Sequence, residues 1–237
     1  MNGQKFSLIV SCEHAGNEIP PEYLYLFSGS EEVLKTHRAY DPGAIDCARL
    51  LSERLNVPLI FQSISRLLID QNRTLSNRSL FSDFSKALSA DKKRDCIDRF
   101  YKPYVEKLRD FIEKRIDLEN PVLHLSIHSF TPELNGRVRN ADIGLLYDPS
   151  RGAESQLLSA LIDYISTFSR HYRVRRNYPY RGTSDGMVSF FRKVFPPENY
   201  IGLEVEFNHK VYFEDKSKYL QMCSSILEFF RVNRKSK

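Results

Sequence analysis

Along the chain, short β-branched apolar runs alternate with stretches in which apolar residues recur every three or four positions. The runs at 6–10, 57–62, 121–127, 142–148 and 201–206 predict buried strands, and the alternating 172–175 predicts an edge or half-exposed strand. Helical spacing joins Ile45, Ala48, Leu51 and Leu55, and again Leu157, Leu158, Leu161, Ile162 and Ile165 within 154–170. Further helices are predicted over 91–116, where Pro103 should kink or split the rod, and over 216–231. Asp41 followed by Pro42 reads as an N-cap and first-turn proline for the helix that follows. Residues 65–73 form an apolar run between two arginines, and 74–90 and 177–186 read as loops. Strands alternating with amphipathic helices predict a single α/β domain spanning 1–237, three-layered, with a largely parallel sheet.

Composition narrows this picture little. At 237 residues and 41% hydrophobic content the chain can build one sizeable core. The net charge of +5 is mild and interspersed, which suits a small anionic ligand and supplies no aromatic-interleaved basic stripe for nucleic acid. The basic run closing the chain, 231–237, reads as a solvated tail. No apolar run approaches the roughly 20 residues that span a bilayer, and no signal-peptide build opens the chain. Cys12, Cys47, Cys96 and Cys223 lie far apart without a Cys-x-x-Cys, so reduced thiols and a cytoplasmic setting are expected.

Chemistry concentrates at strand ends. Ser11-Cys12-Glu13-His14-Ala15-Gly16-Asn17-Glu18 follows the first strand, and His128-Ser129-Phe130 follows a later one. In parallel α/β sheets ligands bind beyond the carboxyl ends of strands, so these two imidazoles are expected at one sheet edge. Singly, each is as readily a hydrogen-bonded structural histidine as a ligand. Together they predict a metal site, with Asp41, Glu13 or Glu18 as the third ligand. Glu204 lies within an apolar strand where an unpaired carboxylate is costly, and is the candidate general base. Glu206 alternates onto the same face, so one of the two is expected to reach the site. Arg66, Asn72 and Arg73 are the candidate anion side, with Asp70 orienting or neutralising an arginine.

Seven stretches, in this order and spacing, make the chain resemble the N-formylglutamate amidohydrolase family. They are residues 11–20, His37 with Tyr40-Asp41-Pro42-Gly43-Ala44, residues 65–73, Ile127 to Pro132, Asp142 to Leu145, Asn177 to Tyr180 with Asp185-Gly186, and Gly202 to Val205. The resemblance spans about residues 8–207. It implies a mixed, mostly parallel α/β/α fold like that of zinc carboxypeptidases and aspartoacylases. It also implies one Zn2+ ion held by His14, Asp41 and His128, and hydrolysis of a small anionic N-acyl amino acid, N-formylglutamate by family default, in histidine degradation. Glu204 and Arg66 are the implied catalytic residues, and Asn72, Arg73, Tyr180 and Asp185 the implied substrate contacts. No nucleic acid or membrane partner is implied. Two positions depart from the wider pattern: Asn17 stands where a ligand Glu falls three residues after the first His, and Met187-Val188-Ser189-Phe190 lacks an expected His.

Overall fold

The computed structural model describes residues 6–118, 120–169 and 171–234. Eight strands form in chain order: β1 Ser7–Cys12, β2 Leu59–Phe61, β3 Val122–Phe130, β4 Glu133–Leu134, β5 Arg137–Val138, β6 Ile143–Leu146, β7 Val174–Arg176 and β8 Tyr200–Asn208. Six of them make one sheet in the order β2-β1-β3-β8-β6-β7, while β4 and β5 form a separate hairpin. Strands β2, β1, β3 and β8 run parallel, and β6 meets β8 antiparallel. The sheet is therefore mixed and mostly parallel.

Helices cover both faces. Helices α1 (Ala44–Leu55), α4 (Gly152–Phe168) and α7 (Lys216–Arg234) pack on one side against Leu8, Val10, Leu125, Leu203 and Val205. On the other side lie α2 (Ala90–Cys96), α3 (Lys102–Ile116) and α5 (Met187–Val194), with Ile9, Val122 and Tyr200 from the sheet. A short α6 (His209–Glu214) follows β8. Each fully buried Leu or Phe in these layers contributes roughly 2 kcal/mol of transfer free energy. Two packed layers thus clamp β1, β3 and β8, which makes their carboxyl ends a rigid platform.

Several expectations change in detail. Strand β3 continues to Phe130, so His128 sits inside it, held by the ladder, and not after it. Helix α1 begins at Ala44, with Gly43 at φ 83° before it, so Asp41 caps nothing and its carboxylate is free to turn elsewhere. The rod across 90–116 is not broken at Pro103. A wider turn over Ile97–Tyr101, closed by Lys102 N–H on the Ile97 carbonyl, precedes it and leaves Pro103 in the first turn of α3, where its missing N–H costs little. The apolar run at 65–73 forms turns, with Leu67, Leu68 and Ile69 buried and Asp70 N–H bonded to the Leu80 carbonyl. Residues 231–233 are exposed at the end of α7, and the rest of the expected tail, 235–237, lies outside the described residues, as does the last residue of the helix expected over 154–170. No described helix is long and apolar enough to cross a membrane.

Candidate active site

Side chains on a strand alternate between faces. On β1, β3 and β8 one set is apolar apart from Ser129 near the end of β3. The other set is polar: Ser11 on β1 and Glu13 just beyond it, His124, Ser126 and His128 on β3, Glu204 and Glu206 on β8. Register aligns them in rows, Ser11 beside Ser126 beside Glu204, and His128 beside Glu206. The row nearest the carboxyl ends opens into a cavity of about 250 Å3. Its wall contains His14, Asp41, Arg66, Asn72, Arg73, His128, Tyr180, Asp185 and Glu204 from the sequence expectations, and lacks Glu13, Glu18 and Asp70. It also contains Glu206, the expected alternative to Glu204, and Arg181, Ser129 and Ser184, which the sequence reading did not place there.

His14, in the turn after β1, Asp41, in the loop before α1, and His128 converge at its floor, with ligand atoms all within 4.8 Å of one another. Asp41 Oδ2 lies 3.3 Å from His14 Nδ1 and 2.8 Å from His128 Nδ1. A backbone bond from Asp41 N–H to the His14 carbonyl fixes the two loops together. The opposite ring nitrogens rest on carboxylates, His14 Nε2 on Asp70 Oδ1 at 2.7 Å and His128 Nε2 on Glu13 Oε2 at 3.1 Å. Metal-binding histidines are commonly held in this way, one nitrogen inward and the other on a carboxylate that sets the tautomer. This buried His14–Asp41–His128 group could bind a metal ion, and its two imidazoles and one carboxylate fit such an ion.

The three acids stand differently around this group. Glu13 is turned beneath His128, where it accepts from Ser11 Oγ, Tyr104 OH and Ser126 Oγ. Glu18 is exposed and accepts from Ser63 Oγ at 2.8 Å, away from the triad. Below Glu13 the network continues through Ser11 Oγ to His124 Nε2 and from His124 Nδ1 to Tyr200 OH, each at 2.7 Å. Burial pushes His124 down to about 4, so it is neutral there. Burial alone would raise the acid in Asp41, but His14, the bond to His128 and Arg66 outweigh it and hold Asp41 well below the usual carboxylate range. Glu13 is likewise depressed against its burial, by His128 and His124.

Glu204 and Glu206 behave in the opposite way. Burial raises Glu204 to about 7 and Glu206 to about 8, with His128 pulling both partly back. Glu206 Oε2 is buried with no hydrogen-bond partner among the described residues. Both carboxylates therefore reach the cavity, where one was expected. The signal was present in the two-residue spacing; the parallel neighbour β3, which sets His128 beside Glu206 and Ser126 beside Glu204, was not.

Arg66 bridges Asp41 Oδ1 at 3.0 Å and Asp70 Oδ2 at 3.4 Å, one quarter exposed to the cavity. Arg73 donates to the Asp185 carbonyl at 2.7 Å. Asn72 accepts from Met187 N–H at 2.7 Å, tying the 70–73 turn to the start of α5, with Nδ2 3.3 Å from His128 Nε2. The Asp185 carboxylate is taken up by Thr74 and Asn77, which makes it a loop anchor. Tyr180, 44% exposed, stands at the mouth. Helix α5 occupies the stretch where a His was expected and buries Met187 and Val188 in place of a polar side chain.

Comparison with known proteins places the chain in a family. The N-formylglutamate amidohydrolase family profile matches residues 6–213. No curated protein matches the chain. Among solved structures, the gene product Atu2144 from Agrobacterium tumefaciens is similar at 27% identity and TM-score 0.78, over 96% of this chain and 93% of that one. An N-formylglutamate amidohydrolase from Ralstonia eutropha JMP134 shares the fold at 17% identity and TM-score 0.72, over 98% of this chain and 94% of that one. With the profile covering most of its length, the chain belongs to the N-formylglutamate amidohydrolase family.

Proposed function

We propose that the protein is a zinc-dependent amidohydrolase that cleaves a small N-acyl amino acid, N-formylglutamate in the first instance, to the free acid and the amino acid. The observation that carries this reading is the sharing of one cavity by the His14–Asp41–His128 group and by two buried carboxylates, Glu204 and Glu206, that form no ion pair among the described residues and whose acids burial raises. A divalent ion at that group, zinc by its donor set, supplies a Lewis acid for the scissile carbonyl and lowers the pKa of a water molecule toward about 7.

The protein's own residues do the rest. Glu206 is level with His128, while Glu204 is one row deeper beside Ser126. Glu206 thus takes the proton from the attacking water and returns it to the leaving amine, with Glu204, the residue expected from the sequence, as its proton-sharing neighbour. Their raised affinity for protons suits this exchange near neutral pH. Arg66 faces the cavity with a permanent charge for the developing oxyanion. Arg73 and Asn72 receive the amino-acid carboxylate, Tyr180 closes over it, and Asp185 keeps Arg73 and the 74–77 loop in place. With this substrate the setting is histidine degradation, and four buried free thiols suit a reducing, cytoplasmic compartment.

A second reading keeps the metal and changes the acyl group. The apolar start of α5, in place of an expected His, favours an amidase acting on another N-acyl amino acid. Metal analysis joined to a panel of N-formyl, N-acetyl and short peptide substrates tests both. Release from N-formylglutamate above the rest supports the first reading, and preference for another acyl group the second. Stoichiometric zinc with no release from any substrate sinks the reaction, and chelator-resistant turnover sinks the metal.

A further inference from the structure

Beside the catalytic cavity lies a second groove of about 710 Å3. Hairpin β4–β5 and the segment after β7 wall it, and Arg137, Arg139, Arg175 and Tyr178 line it together with Leu134 and Val138. The hairpin turns at Asn135 and Gly136, with φ 52° and 73°. Such a pair of left-handed residues closes a two-residue turn that keeps the strands in register. Arg137 and Arg139, two positions apart, both reach the groove.

The chemistry is one-sided. No residue lining the groove is acidic, and among the described residues none of the three arginines forms an ion pair. Two of them are held in place by rings: Arg175 lies 5.0 Å over Tyr178 and Arg139 5.1 Å over Tyr180. Stacking pre-orders a guanidinium while leaving its in-plane donors free, which suits two-point binding of carboxylates. Arg139 Nη1 also donates to Tyr180 OH at 3.3 Å, and Tyr180 is part of the catalytic cavity wall. The outer groove therefore meets the inner cavity at one residue. The inner cavity is about a third of its volume, with room for a single amino acid.

We propose that the groove is a subsite for the anionic distal part of the substrate, and that the protein takes N-acylated oligo-glutamates, short chains of linked acidic residues, as well as a single N-acyl amino acid. This rests on the amidohydrolase reading. The reaction at the inner site is unchanged: the terminal acyl C–N bond breaks, water gives its hydroxyl to the acyl carbon and its proton to the released amine. A run of carboxylates along the groove answers three arginines that form no ion pair among the described residues, and the Arg139–Tyr180 contact joins this surface to the inner cavity.

The test compares N-formyl-γ-triglutamate with the same chain bearing amides in place of its distal α-carboxylates. The acidic chain should show about tenfold higher kcat/KM at low salt, a margin that shrinks as ionic strength rises. The double variant Arg137→Ala with Arg175→Ala should erase that margin and leave turnover of N-formylglutamate unchanged, while Arg175→Lys with Arg137 intact should keep part of it. Equal turnover of both chains by the unaltered protein overturns the subsite while leaving the amidohydrolase reading intact. Direct binding of a fluorescent γ-triglutamate, read by anisotropy, covers the converse. Binding lost in the double variant, without turnover of any N-acyl substrate, keeps the groove and sinks the reaction. Binding of single-stranded RNA in preference to the peptide overturns the proposal.

Discussion

Glu206 stands directly across from His128 in the β3–β8 ladder, so a carboxylate and a candidate ligand imidazole project side by side from neighbouring strands. Burial presses the carboxylate toward its neutral form, while the imidazole, pinned between Asp41 and Glu13, is pressed toward its charged one. With His128 committed to the candidate metal group, Glu206 is the member of this pair placed to hold a proton at the cavity floor.

Replacing Glu206 by Gln keeps shape and removes the base. We expect kcat to fall by about 10^2–10^4, the usual share of a general base, with metal content unchanged. Glu204→Gln should cost less, since Glu204 lies a row deeper beside Ser126. Steady-state rates with metal analysis on both variants check the assignment, and a larger loss in Glu204→Gln would exchange the two assignments.

The carboxylates behind the candidate ligand histidines should tune metal affinity. Asp70 holds His14 Nε2 at 2.7 Å, and loss of such an outer partner typically costs about 10–100-fold in affinity. Asp70→Asn should weaken binding by that order in a chelator-competition titration, whereas His14→Ala should abolish it. Unchanged affinity in both variants would remove the group from metal binding.

Stability of the metal-free protein should fall as pH rises from about 6.5 to 8.5. Glu204 and Glu206 carry folded pKa values of about 7 and about 8 against an unfolded 4.5. Over that window the folded state binds more protons than the unfolded one, and unfolding becomes easier as they leave. His128, raised well above 6.5, acts in the same direction. Below pH 6.5 His124 and His209, both lowered to about 4, oppose the trend, because the unfolded chain then binds the extra protons. Urea denaturation across pH 6–8.5 reads the slope, and Glu206→Gln should flatten it.

A buried pair behind the site should be structurally indispensable. Glu154 on α4 accepts from Arg192 Nε at 2.9 Å and from the backbone N–H of Gly202 at 3.0 Å, and Arg192 also donates to the Gly182 and Gly202 carbonyls. Removing one member leaves an uncompensated buried charge, a loss of about 3–5 kcal/mol. Glu154→Ala should lower the denaturation midpoint accordingly. A near-neutral effect would mean that water replaces the pair.

Local pattern made much of this molecule legible. The β-branched runs located β1, β3 and β8, and the three- and four-residue spacing located α1, α4 and α7, because burial imposes those periods on the sequence. Helix α5, helix α6 and the β4–β5 hairpin escaped. The first two are short, so a single turn or two gives little periodicity, although Asn135-Gly136 was a readable hairpin signal. Asp41 shows a sharper limit: Asp-Pro before a helix has the composition of a cap, and only the left-handed Gly43 displaces the helix start and releases the carboxylate.

By itself, the sequence determined the fold class and the placing of His14 and His128 toward the carboxyl ends of buried strands, since each is written in apolar runs and the polar residues that follow or close them. The tertiary structure decided what distant residues do to each other. It turned Glu13 beneath His128 and Asp41 toward both Nδ1 atoms, brought Glu204 and Glu206 into one cavity, and gathered Arg137, Arg139 and Arg175 along a single groove. Those choices depend on strand order and register, which neighbouring strands settle jointly by packing and which no local stretch of the chain encodes.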